Sequence, residues 1–192
     1  MDGAFFSELM LASFSAGLQA IELTMNTDGC ERIVAECLPH VPAGKLLGIG
    51  TVRNMEEARR AVGAGAMFLV TPNVDTAVIE YARNREVPIV AGALTPTEVY
   101  TARAAGADMV KIFPCHAFGP KYLRDLHGPF DDVPLVAVGG IDKANLREYF
   151  DAGAAAVGTS TSLFGRDALA GRDLAAIAYN VGEFVKFCRC VE

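Results

Sequence analysis

The chain has no excess of basic charge, no apolar run long enough to cross a membrane, and no even set of cysteines. Its 17 Lys and Arg against 23 Asp and Glu leave a net charge of -6 and a pI near 5.1. No basic stripe is available to track a nucleic-acid backbone or an anionic membrane surface, so the expected ligand is a small molecule. No apolar stretch approaches the roughly 18 residues of a spanning helix, and Met1-Asp2-Gly3 lacks the basic, apolar, small-residue order of a signal peptide. The expected location is the cytoplasm. Cysteines 30, 37, 115, 188 and 190 are an odd number, which argues for reduced thiols over a disulfide framework. Cys188-Arg189-Cys190 is too isolated for a zinc site, and His40, His116 and His127 lack metal-ligand spacing. The expectation is chemistry without a metal or another cofactor.

What is present is a core. With 192 residues, 52% of them apolar, the chain is long enough for one large core and short for two. One domain spanning 1–192 is expected. Short apolar runs recur near 20–24, 46–50, 67–71, 88–92, 109–113, 135–139 and 155–158, each followed by a helix-like segment. Apolar strands with little polar alternation, interleaved with helices, predict a parallel sheet covered by helices. Thr95-Pro96-Thr97-Glu98 is a capping box with proline at the first helical position, and Asn54 with Glu57 repeats the spacing. A final helix over about 173–187 sets Leu174, Ile177, Val181, Phe184 and Val185 on one face. Gly17, Gly65, Gly106 and Gly153 close helices just before the next strand. The order predicts a (β/α)8 TIM barrel, yet only seven strands can be found. Because the chain opens on a helix, the first strand is expected to be missing from it; the alternative is an open or seven-stranded arrangement.

Two charges stand where a core should be apolar. Lys111 lies in Met109-Val110-Lys111-Ile112-Phe113-Pro114, and Glu22 in Ala20-Ile21-Glu22-Leu23-Thr24. Burial lowers a lysine pKa and frees the amine as a nucleophile. With side chains alternating between lumen and helix layer, Met109, Lys111 and Phe113 face inward, as do Ala20, Glu22 and Thr24. Both charges then project near the carboxyl ends of their strands, where barrel active sites are built. The alternative is a buried structural ion pair. Val138-Gly139-Gly140-Ile141-Asp142 ends the next-to-last strand and is expected to open a helix, and Val157-Gly158-Thr159-Ser160 ends the last. Glycines there let backbone N–H groups approach an anion, so Gly139, Gly140, Gly158, Thr159 and Ser160 are a candidate phosphate site, against simple turn geometry. Gly48-Ile49-Gly50-Thr51-Val52 lacks the third glycine of a dinucleotide fingerprint, since position 53 is arginine. Gly50 and Thr51 could instead donate to a substrate carboxylate, against tight packing. Asp131-Asp132 reads as a solvated loop.

Ile21-Glu22-Leu23-Thr24, Gly48 to Val52, Val70-Thr71-Pro72-Asn73, Val110 to Pro114 and Val138 to Ile141 resemble, in order and spacing, the 2-keto-3-deoxy-6-phosphogluconate aldolase family, from about residue 5 to the C-terminus. The resemblance implies a class I aldolase on a (β/α)8 barrel, commonly a homotrimer, with Lys111 as Schiff-base residue and Glu22 as general acid/base. It also implies that Thr24, Asn26 and Pro72 join Gly50 and Thr51 around the carboxylate and pyruvyl part of a phosphorylated 2-keto acid. Many members carry arginine where this chain has Asn26; those lacking it tend to carry one on the first strand, and Arg53 is a possible substitute. Asn26, Thr71-Pro72-Asn73 and Ala117-Phe118-Gly119-Pro120 resemble the galactonate branch, whereas Thr24 and Gly128-Pro129-Phe130 resemble the gluconate enzymes, so the C4 epimer stays open. Two other readings stand beside the aldolase: a phosphosugar isomerase or epimerase in which Lys111 polarises a carbonyl, and a phosphate-binding barrel without catalysis.

Overall fold

A computed structural model describes residues 2–189. The first helix, α1 (Gly3–Ser15), starts on Asp2, whose Oδ1 accepts the Phe5 N–H at 2.9 Å. Seven parallel strands follow: β1 (Ala20–Thr24), β2 (Leu46–Gly50), β3 (Leu69–Val70), β4 (Ile89–Ala93), β5 (Met109–Ile112), β6 (Leu135–Val138) and β7 (Ala156–Gly158). The sheet order is β1 to β7 in sequence, each strand pairing with the next. Between the strands run α2 (Cys30–Cys37), α3 (Met55–Gly63), α4 (Thr76–Asn84), α5 (Pro96–Ala105), α6 (Gly119–His127) and α7 (Leu146–Asp151). After β7 come α8 (Thr161–Phe164), α9 (Arg166–Gly171) and α10 (Leu174–Arg189). β3 is shorter than the expected 67–71, because only Leu69 and Val70 keep the strand geometry before the chain turns at Thr71.

The strand residues divide by parity. Leu47, Ile49, Leu69, Ile89, Ala91, Val110, Leu135 and Ala137 are fully buried and face the helices. Each large aliphatic among them stabilises the fold by roughly 1.5–3 kcal/mol. The opposite parity holds Glu22, Gly48, Gly50, Gly92 and Lys111, the row that lines the lumen. Ile177, Val181 and Phe184 form the buried stripe of α10, with Leu174 and Val185 half-buried beside it.

The sheet is curled. Laid flat, seven strands would separate β1 from β7 by about 29 Å, six spacings of roughly 4.8 Å. Yet α1 packs beside α10, the two sharing a cleft lined by Ala12, Ala16, Tyr179 and Gly182, and Asp2 meets Arg172 at 2.6 Å. The seven strands read from the sequence are the seven of the sheet among the described residues, with β1 and β7 as its two edges.

Most of the local signals hold. Gly17, Gly65, Gly106 and Gly153 have φ of 108, 87, 97 and 98°, values that a side chain disfavours. Thr95 and Glu98 form the capping box of α5, Thr95 N–H donating to Glu98 Oε2 at 2.8 Å. Asn54 caps α3 through the Glu57 N–H, but Glu57 turns its carboxylate to Arg53 instead of closing the box. Cys30, Cys37, Cys115 and Cys188 are free thiols, and Cys190 lies outside the described residues. His40 and His116 are exposed and His127 half-buried, and Asp131 and Asp132 are exposed.

Candidate active site

β1 and β5 are four strand spacings apart in the sheet, about 19 Å if it were flat. The curl instead brings Glu22 and Lys111 close enough to sense each other's charge. Lys111 is 8% exposed, and burial lowers its pKa below the usual 10.5 against the opposing pull of Glu22. Burial likewise raises the Glu22 carboxyl above 4.5, against the opposing pull of Lys111. For both groups burial is the larger influence and their mutual attraction the smaller. Glu22 Oε2 is sealed from solvent and has no hydrogen-bond partner among the described residues. A pair whose environment favours the neutral amine and the protonated acid is suited to nucleophilic attack and proton shuttling. Phe113, one row above, turns its ring to Lys111 Nζ at 4.8 Å from the centroid.

Glycine makes room for both charges. A Cβ on Gly50 would lie 2.7 Å from Glu22 Oε1 and closer still to Cδ and Oε2, where ordinary contact is 3.4–4 Å. Gly92 is the register partner of Lys111. A Cβ there would lie 2.6 Å from the Thr71 carbonyl oxygen and 2.7 Å from the Asn73 nitrogen. The Thr71-Pro72-Asn73 turn therefore crosses the lumen face one strand from the lysine.

The other expected carboxylate-side residues gather unevenly. Thr24 is the register partner of Gly50, and its hydroxyl stands 3.5 Å from that of Thr27. Thr51 adopts φ 57°, a left-handed conformation held just past the strand end. Asn26 is exposed in the turn after β1. Arg53 is engaged elsewhere: its guanidinium and its own N–H both go to the carboxylate of Glu57, a residue 7% exposed.

The two candidate phosphate loops are joined. Val138 and Gly158 are register partners, and Gly139 and Gly140 have φ of 101 and 74°. Thr159 Oγ1 and Ser162 Oγ both donate to the Ile141 carbonyl, at 3.1 and 2.8 Å. Asn145 Nδ2 holds the Gly140 carbonyl at 2.8 Å. One expectation is corrected here: the segment after Gly140 does not open a helix, since α7 begins only at Leu146. Asp142 and Asn145 divert residues 141–145 into a turn, Asp142 Oδ1 taking the Ala144 N–H at 2.8 Å. Ser160 immediately precedes α8, which is four residues long.

Sequence reasoning did not single out Phe113, Thr71, Gly92 or Ser162 as site residues. A glycine inside a strand, as in Ala91-Gly92-Ala93, signals a close backbone approach. Inward parity was the available signal for Phe113. Nothing in the sequence marks the hydroxyl of Ser162.

A curled seven-strand parallel sheet wrapped by helices, with a desolvated lysine and carboxyl on its lumen side, defines an α/β protein of half-barrel form. Within that class the chain belongs to the KDPG and KHG aldolase family, whose model matches residues 7–179. It is 34% identical over 179 residues to the 2-dehydro-3-deoxy-6-phosphogalactonate aldolase of Escherichia coli strain K12, covering 93% of this chain and 85% of that one. It is also 34% identical over 146 residues to the 2-dehydro-3-deoxy-phosphogluconate aldolase of Treponema pallidum, with 73% and 67% covered. Among solved structures, one described as native KDPGal superposes with a TM-score of 0.92 at 31% identity, covering 100% of this chain and 91% of that one.

Proposed function

We propose that the chain is a class I aldolase that cleaves a 2-keto-3-deoxy-6-phospho sugar acid, of the phosphogluconate or phosphogalactonate type, to pyruvate and glyceraldehyde 3-phosphate. The observation that carries it is the desolvated Lys111 within range of the charge of Glu22, whose sealed Oε2 has no hydrogen-bond partner among the described residues. Neutral Lys111 attacks the C2 ketone, and Glu22 moves protons as the carbinolamine loses water to the iminium. Glu22, directly or through a water, then takes the C4 hydroxyl proton. The C3–C4 bond breaks, its electron pair passes into the iminium as an enamine, and glyceraldehyde 3-phosphate departs. Protonation at C3 and hydrolysis release pyruvate and restore the amine.

In this reading Thr24, Asn26, Gly50, Thr51 and Pro72 surround the carboxylate and pyruvyl end, and Gly139, Gly140, Gly158, Thr159 and Ser160 take the phosphate. The hydroxyl bridge from Thr159 and Ser162 to Ile141 supports a fixed phosphate loop. We also read 1–192 as one domain built on the (β/α)8 barrel plan. A cytoplasmic homotrimer is the assembly we expect.

Incubation with pyruvate and borohydride, followed by mass spectrometry, is the test: a reduced adduct on Lys111 is expected. Turnover with no adduct would favour the isomerase reading. That β1, the strand of Glu22, is an edge strand among the described residues favours one second reading, a phosphate-binding barrel without catalysis. That reading predicts phosphosugar binding with neither adduct nor turnover.

A further inference from the structure

The ladder between β3 and β4 ends irregularly. Leu69 N–H donates to the Pro88 carbonyl at 2.9 Å and Thr71 N–H to the Val90 carbonyl at 3.1 Å. The next rung of a parallel ladder would carry the Gly92 N–H to the Thr71 carbonyl. Instead the Gly92 N–H donates to the side-chain hydroxyl of Thr71 at 2.9 Å, and that hydroxyl donates to the Asn73 carbonyl at 2.7 Å. Thr71 is 1% exposed, so no water competes for either bond.

A side-chain oxygen thus replaces a main-chain one, and the main chain is released to turn. It turns over Gly92, whose missing Cβ leaves space for the Thr71 carbonyl oxygen and the Asn73 nitrogen. Gly92 is the register partner of Lys111. The turn is therefore held one strand spacing, about 4.8 Å, from the lysine backbone, on the lumen side.

We propose that Thr71 is a positioning residue, whose hydroxyl fixes the Pro72 wall beside Lys111 and so holds the bound pyruvyl group in the geometry for attack and cleavage. This rests on the Schiff-base reading above. Thr71 touches no reacting atom; it acts through the turn. Valine has the shape of threonine and can make neither bond, whereas serine can make both.

The test compares Thr71→Val, Thr71→Ser and Ser13→Ala with the intact chain. Ser13 is a fully buried hydroxyl on α1 that donates to the Leu9 carbonyl at 2.7 Å, so its loss reports stability alone. Thermal melting, steady-state cleavage and pyruvate–borohydride trapping are measured for each. Misplacement by about 1 Å predicts a fall in kcat of roughly 10- to 100-fold for Thr71→Val, with KM little changed. Thr71→Ser is expected to recover most of the rate, and Ser13→Ala to keep it while melting lower. The inference is overturned if Thr71→Val turns over like the intact chain, if Thr71→Ser fails to rescue, or if Ser13→Ala loses activity in the same proportion. Should Thr71→Val prove too unstable to assay, Gly92→Ala pushes the same turn from the opposite side and must lower kcat likewise. Absence of an adduct on the intact chain overturns the Schiff-base reading itself. An adduct on the intact chain with an unimpaired Thr71→Val overturns the Thr71 role alone.

Discussion

Gly48 and Gly50 lie two residues apart on β2, on the same face, and replacing each with alanine should do different things. The added Cβ at 50 would stand 2.7 Å from Glu22 Oε1 and nearer to the rest of the carboxyl group. The backbone cannot yield in a buried ladder, so the carboxylate must swing away. A displacement of about 1 Å costs roughly 100-fold in kcat, which at 1.36 kcal/mol per tenfold is about 2.7 kcal/mol of transition-state stabilisation. The Cβ at 48 meets the ring of Phe68 instead, at 2.6 Å, deeper in the lumen. Overpacking there costs roughly 1–3 kcal/mol of stability, a drop of about 2–4 °C in Tm per kcal/mol for a chain of this size. Pyruvate release, followed through lactate dehydrogenase and NADH, measures the first; thermal melting measures the second. Gly50→Ala should be slow and Gly48→Ala merely less stable. If Gly50→Ala retains kcat within a factor of about 2, or if both lose activity equally, the placement of Glu22 against Gly50 is wrong.

The remaining predictions concern the charges and one cap. Lys111→Met should abolish the borohydride adduct, and combining it with Glu22→Leu should leave stability unchanged or raise it by up to roughly 1–4 kcal/mol, read by urea melts. Because burial raises Glu22 above 4.5, its contribution to stability is present at low pH and lost as pH rises through the raised value; Lys111, lowered by burial, contributes in the opposite sense, gaining as pH climbs towards 10.5. Glu22→Gln should therefore flatten the acid-side slope of stability against pH. It should also move the acid limb of pyruvate trapping to lower pH, since the carboxylate holds the Lys111 pKa up; a limb moving upward would refute the coupling. Thr95→Ala should cost about 1 kcal/mol without touching turnover, because it removes only the α5 cap.

Much of the frame was legible because it is local. An apolar run of β length, a capping box such as Thr95 to Glu98 and a glycine at a helix end each carry their cause within a few residues, so the seven strands were found in order, β3 shorter than expected, and the α5 start and the left-handed closures were placed correctly. Lys111 and Glu22 were legible for a related reason: a charge in an otherwise apolar strand contradicts its own neighbours. The turn at 141–145 was misjudged because Asp142 and Asn145 can bond their own backbone, a competition with helix that composition does not resolve.

The sequence by itself determined the order of strands and helices, the face each strand residue takes, and the two residues whose chemistry is out of place in a core. Only the tertiary structure decided what surrounds them. The curl of the sheet sets Glu22 against Lys111, bares Glu22 Oε2 of partners, and lays the Thr71-Pro72-Asn73 turn across Gly92. It also leaves β1 and β7 as the edges of the sheet among the described residues. These facts depend on which segments, distant in the chain, arrive side by side, and desolvation and close contact are properties of that arrival.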